Sequence, residues 1–278
     1  YRISIAVIIV GINAAKKAKV SAEAIIKKTE RMFSDNDWSN YTDTKISIIG
    51  TEATYGDNAR HTQPREVLLR FMATHEQKKA LILLSREIAQ ALTGMTPGFT
   101  NMLGGRPSVS PSIRLFSFLL PKENIRTTVD FNEKQLKLEI WKTKSNNVDY
   151  KNTIPELSDN IDTPDTEVSL INLAYARSGD KGDHANIGVI ARKPEYLPYI
   201  RDSLTPKRVA KYFSHVVKGE VERWDVPGID ALNFLLRNSL GGGGMASLNI
   251  DPQGKAYAQQ LLGIMIPVPY KIAEETKK

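Results

Sequence analysis

The residues best suited to chemistry lie in two glycine-rich stretches of the C-terminal part of the chain. The first reads Arg177-Ser178-Gly179-Asp180-Lys181-Gly182-Asp183-His184. Gly179 and Gly182 let the backbone take positive φ and turn its N–H groups toward one point, a concavity suited to an anion. Arg177 and Lys181 add positive charge, while Asp180, Asp183 and His184 are groups that exchange protons or ligate a metal. The same residues also read as a hairpin with a long polar turn. The second stretch is the consecutive run Gly241, Gly242, Gly243 and Gly244. Ordering such a run is entropically expensive, so it belongs where backbone passes close to a ligand or to another strand.

Two sites in the first half belong with these. Gly104-Gly105-Arg106-Pro107 puts Arg106 on a stiff loop, able to clamp a carboxylate or phosphate bidentately or to tie the loop down through carbonyls. Thr51-Glu52-Ala53-Thr54-Tyr55-Gly56 follows a strand directly, a common site position that makes Glu52 a candidate general base. The histidines His61, His75, His184 and His215 lack the spacing of a helical metal pair, and His215 reads as structural or solvated. Neither a phosphate loop, nor G-x-G-x-x-G in context, nor a G-x-S-x-G elbow is present. With no cysteine there is no thiolate nucleophile and no zinc–thiolate site. We therefore expect no metal and no resident cofactor.

The elements that must position these residues follow from periodicity. A β-branched run predicts a buried strand over 2–10, and Ser21 is placed to cap a helix over 22–33. A short strand follows over 45–49; 66–73 is ambiguous between strand and helix. Thr74 with Gln77 forms a capping-box pattern for a helix to about 92, stopped by Gly94. After a loop over 95–111, alternation over 113–120, 126–131 and 135–141 predicts an antiparallel meander. The polar stretch 142–166 reads as a linker between domains over 1–141 and 167–270, with a tail over 271–278. Beyond it, strands over 168–176 and 185–191 flank the first glycine loop. Thr205-Pro206 starts a helix to about 217, and strands over 231–236 and 245–250 flank the second glycine run. Asp251-Pro252 starts a helix to about 262, and a final strand covers 264–268. The order β-α-β-β-α-β predicts an α+β chain ending in a split β-α-β, ferredoxin-like module.

At 278 residues, 41% hydrophobic and 25% charged, the composition is that of a globular protein with more than one domain. The net charge of +7 is spread along the chain without an aromatic-studded basic stripe, which argues against nucleic acid and suits small anions. No apolar run approaches the roughly eighteen residues of a membrane helix. The absence of cysteine favours an intracellular protein, and we expect the cytoplasm over the mitochondrion. Tyr1 in place of an initiator methionine suggests a processed or trimmed chain.

From Ala174-Tyr175-Ala176-Arg177 through the first glycine loop to Ala191-Arg192, the sequence resembles the acyclic terpene utilisation family. So do Leu232-Asn233-Phe234 to Asn249 with its glycine run, and Asp251-Pro252-Gln253-Gly254-Lys255. These look like that family's C-terminal ferredoxin-fold module, over 167–268. Gly50-Thr51-Glu52, Tyr55-Gly56 and Gly104-Gly105-Arg106-Pro107 are similar to the later part of its larger N-terminal domain, whose beginning the resemblance leaves unmatched. The resemblance implies a role in breaking down branched isoprenoid acids such as citronellate or geranate, through coenzyme A thioesters. It carries over no catalytic residue. Two readings follow: a catabolic protein binding an anionic small molecule, or a non-catalytic module docking to a partner such as an acyl-CoA carboxylase. A homo-oligomer is compatible with either.

Overall fold

The computed structural model describes residues 1–138 and 162–277. One compact unit comprises Tyr1–Arg114 together with the C-terminal part of the chain, and a second begins at Leu115. The first unit opens with an antiparallel sheet of strands β1 (Arg2–Val10), β2 (Asp43–Ile49), β3 (Glu66–Thr74), β4 (Phe99–Met102) and β5 (Val109–Ser110), ordered β2-β3-β1-β4 with β5 also on β1. The ambiguous 66–73 segment is thus a strand, flanked on both sides by partners. Helices α1 (Ala14–Ser34) and α2 (Lys78–Gly94) cover one face. Alternation decides which residues they meet: Ile3, Ile5, Val7 and Ile9 of β1 share a core with Val67, Leu69 and Phe71 of β3.

Both helix starts differ from expectation. The first begins at Ala14, seven residues before Ser21, because small, helix-favouring Ala14, Ala18 and Ala22 pack flat on the sheet. Ser21 is therefore a buried interior residue. The second begins after Gln77, which has no side-chain cap bond, and Thr74 stays in β3. There the Gln77 N–H donates to Nδ1 of buried His75 at 2.9 Å.

In the second unit, β6 (Thr127–Phe131) and β7 (Lys134–Leu138) form a hairpin. Its turn residues Asn132 and Glu133 both have positive φ, as a two-residue turn with right-handed strand twist requires. The expected third strand of the meander is absent: 113–120 carries no strand, and its apolar side chains are exposed. Positions 139–161, which hold the end of the expected last strand and most of the expected linker, lie outside the described residues.

The C-terminal module runs β8 (Thr166–Ser169), α3 (Leu170–Leu173), β9 (Ala174–Lys181), β10 (His184–Ala191), α4 (Leu197–Ser203), α5 (Pro206–Tyr212), β11 (Val221–Val226), β12 (Ala231–Leu236), α6 (Tyr257–Leu261), β13 (Met265–Val268) and α7 (Tyr270–Glu275). Its four-stranded sheet is ordered β11-β12-β10-β9, with every pair antiparallel. β10 and β11 thus run the same way with β12 between them, the split β-α-β arrangement. The expected order survives with one strand exchanged. Residues 221–226, unassigned in the sequence, form β11, whereas 245–250 are turn and bend, with the Ala246 and Ser247 N–H groups donating to Gly243 O. β13 pairs with β8 rather than entering the main sheet. Ile187, Val189, Phe234 and Leu236 meet Phe213, Tyr257 and Leu261 in the core. The α5 helix is shorter than expected, ending at Tyr212, and α6 starts only at Tyr257.

The module faces the uncovered side of the first sheet. Arg2 donates to the Met245 carbonyl and, at 3.3 Å, to that of Ser247; Arg70 donates to Leu248 O at 2.9 Å. The loop after β2 is held likewise: Asn58 donates to Tyr212 O at 2.8 Å.

Candidate functional site

The first glycine stretch is mostly strand. β9 continues to Lys181, β10 starts at His184, and only Gly182 and Asp183 form the turn. The long polar loop is therefore a tight hairpin, with Gly182 at φ 68°. Alternation along β9 sends Arg177, Gly179 and Lys181 to the open face of the sheet and Asp180 to the other. There Lys181 Nζ donates to Asn186 Oδ1 at 3.2 Å, and Lys255 Nζ reaches Asp180 Oδ1 at 3.4 Å.

The two glycine stretches do meet, and the group between them is the chain's own. Asp183 Oδ1 accepts the Gly242 N–H at 2.6 Å, and the Asp183 carbonyl accepts those of Ser239 and Leu240 at 3.0 and 3.2 Å. His184 Nδ1 accepts the Asn238 N–H at 2.9 Å. Gly241, Gly242 and Gly243 have φ of 67°, 95° and 72°, and of the first stretch Gly182, but not Gly179, takes the positive φ expected there. The Asp183 carboxylate thus takes the Gly242 N–H with one oxygen and Asn238 Nδ2, at 3.4 Å, with the other.

The Asp180 carboxyl is held below its ordinary value by its own backbone N–H first and then by the hydrogen bond from Lys255. A depressed carboxylate contributes stability above its unfolded pKa, and that contribution is lost as pH falls through the folded value. We expect an NMR titration to place Asp180 below 3.8, and Lys255→Met to move it upward. An unmoved midpoint would contradict the contact.

Arg106 lies between β4 and β5, at the opposite sheet edge from β2 and Glu52. Its Nε donates to Ser85 Oγ at 3.4 Å, and Ser85 itself donates to Pro107 O at 2.5 Å, so the loop is tied to α2.

Glu52 instead borders a cleft of about 760 Å³. One wall is the loop after β2, with Glu52, Tyr55, Asp57 and Arg60; the other is α5 and the segment around α6, with Arg208, Lys211, Tyr212, Gln260 and Met265. Glu52 has φ 54°, and its Oε2 accepts the Arg60 N–H at 2.6 Å, which closes the loop on itself. Arg208 is engaged with Ser203 and, at 2.6 Å, with Met265 O. Among the described residues, the Arg60 and Lys211 side chains make no hydrogen bond or ion pair. Tyr212 donates to Gln260 O at 2.8 Å, and burial raises its phenol pKa, so it stays neutral. The cleft thus offers two cations without a side-chain partner among the described residues, two carboxylates, Glu52 on a strained turn and Asp57, and apolar surface from Ile264 and Met265. Of these groups, sequence reasoning found only Glu52. Arg60 and Lys211 are distant in the chain, and only the docking of α5 against the 52–60 loop brings them to one cleft.

Two family models match the chain. Residues 1–131 match the acyclic terpene utilisation family protein AtuA, and 168–267 match the AtuA ferredoxin-like domain. The chain belongs to the acyclic terpene utilisation family. Both matches, in this order, cover the α/β sheet with its helices and the split β-α-β module, so the α+β class and the ferredoxin-like C-terminal domain stand. Comparison with curated proteins and with solved structures gives no match. Family membership places the chain in acyclic terpene utilisation. No described helix is long and apolar enough to cross a membrane.

Proposed function

We propose that this member of the family acts in the breakdown of branched isoprenoid acids, holding such an acid or its coenzyme A thioester in the cleft between the 52–60 loop and α5. The supporting observation is the pairing of Arg60 and Lys211 across a concavity of about 760 Å³, within the usual range for small-molecule sites. Both cations are available to an anionic guest, and Tyr55, Ile264 and Met265 offer apolar surface to a branched chain. Glu52 is the acid–base group in this reading. Arg177, Gly179, Lys181, Gly182 and the run Gly241 to Gly244 frame a second anion-seeking corner, with Asp180 and His184 beside it, where Asp183 competes with any guest. Arg106 serves its own loop.

The test is calorimetric titration of the full chain with geranate and with a branched acyl-CoA. We expect Lys211→Ala and Arg60→Ala each to weaken binding about tenfold, roughly 1.4 kcal/mol, and salt to weaken it further. Equal affinity in wild type and both variants would contradict the assignment.

The exposed strip before β6 favours a second reading, a module that docks to a partner such as an acyl-CoA carboxylase. Leu115, Phe116, Phe118 and Leu119 are 87%, 83%, 70% and 100% exposed, an unusual apolar display for a monomer. Under that reading Phe116→Asp abolishes co-purification with the carboxylase and leaves small-molecule binding intact.

A further inference from the structure

Gln260 is 2% exposed, yet neither its Oε1 nor its Nε2 has a hydrogen-bond partner among the described residues. Its backbone carbonyl is engaged by Tyr212, so only the side-chain amide is left over. Native interiors rarely keep such a group, because a buried amide without partners has lost water and gained nothing in exchange. Gln260 borders two spaces: the cleft of about 760 Å³ and a smaller cavity of about 130 Å³.

That cavity holds a second orphan. His215 Nε2 lies 2.8 Å from Thr54 O, and a carbonyl can only accept, so Nε2 carries a proton. Nδ1 is buried and unpartnered. The charged residues on the cavity wall are Lys45 and Asp251, of opposite sign, and each Asp251 carboxylate oxygen accepts one backbone N–H, those of Lys255 and Ala256 at 2.9 and 2.8 Å. The wall of this small cavity is therefore polar and carries one charge of each sign.

We propose that Gln260 is the recognition group for an amide of the guest, at the inner end of the cleft. An amide side chain asks for a donor and an acceptor together. A carboxylate or phosphate offers only acceptors and would leave Oε1 unmet. A primary carboxamide supplies both from one edge; secondary amides are trans, with C=O and N–H pointing opposite ways, so there the C=O of one and the N–H of the next serve Nε2 and Oε1. Two sources carry this chemistry: the consecutive secondary amides of a pantetheine arm, and a free small carboxamide. The pantetheine source rests on the acyl-CoA reading above and deepens it, with Lys211 and Arg60 facing the charged parts of the guest and Gln260 its neutral arm.

The test titrates the full chain with pantetheine, with acetamide and with coenzyme A, in wild type, Gln260→Leu and Lys211→Ala. Pantetheine carries no phosphate, so the expected result is binding that Gln260→Leu weakens more than tenfold. Acetamide binding that is lost in Gln260→Leu, without pantetheine binding, supports the amide site and assigns it to a small carboxamide. Coenzyme A binding that responds to Lys211→Ala but not to Gln260→Leu overturns this proposal while the cleft reading stands. A Gln260→Leu chain that melts higher and binds as wild type also overturns it, since the amide is then only a packing cost. Should Gln260→Leu fail to fold, Gln260→Glu, which keeps the shape and removes the donor pair, is expected to show the same loss; unchanged binding there counts against the proposal.

Discussion

Gly243→Ala is expected to lower the melting temperature by about 10 °C, with Gly242→Ala costing about half as much or less. Both glycines sit at positive φ, where an L side chain costs roughly 1–2 kcal/mol. What separates them is the neighbour. A Cβ on Gly243 would stand 2.5 Å from the Gly182 carbonyl oxygen and 3.0 Å from its carbon, whereas one on Gly242 would meet only the Ala246 methyl at 3.5 Å. The obstacle at Gly243 is backbone of the β9–β10 hairpin, which has no rotamer to turn away, so strain and overpacking add to about 3–4 kcal/mol. Differential scanning calorimetry of the two variants decides the matter. Equal destabilisation would show that the glycine run is not clamped against the hairpin.

The second large effect is expected at Gly56. A Cβ there would lie 2.6 Å from both Cβ and Nδ1 of His215, and closer still to Cγ. His215 is pinned by Thr54 O, so the ring cannot retreat without giving up that bond. Gly56→Ala then costs about 2–4 kcal/mol, from a left-handed alanine, an overpacked contact and a lost hydrogen bond. It also pushes the 52–60 loop away from α5, so guest binding should fall with stability. The companion His215→Ala removes the obstacle: in the double variant the Gly56→Ala penalty should shrink by about half, with the left-handed strain remaining. Additive losses would contradict direct packing.

These contacts show why the sequence was legible in some places and not in others. The strands were readable where one face is core and the other is not, as in β1, whose odd residues are apolar and buried. Gly182 and the run Gly241 to Gly244 were readable as loop because positive φ leaves few alternatives, whereas Gly179 lies inside β9 without it. What could not be read was who occupies those turns. The carboxylate that takes the Gly242 N–H is Asp183, two positions after Lys181. Local sequence does not distinguish a carboxylate that serves a guest from one that serves its own hairpin. The helix starts were misread because a plausible cap, Ser21, outranked a run of alanines whose reason lies in the sheet beneath them. β11 was missed because Glu222, Arg223 and Asp225 break the apolar pattern. Each is paired after folding, Glu222 with Arg237, Asp225 with Arg201 at 2.9 Å, and Arg223 with the carbonyls of Arg201 and Leu204. Gln260 and His215 look ordinary until their partners are counted.

Where a guest sits is read most directly by hydrogen–deuterium exchange of the full chain with and without a branched acyl-CoA. The account predicts slowed exchange over 52–60 and over α5, on both walls of the cleft, with residues 179–184 and 241–244 unchanged. Protection confined to the glycine corner, or none on either wall at saturating guest, would contradict it.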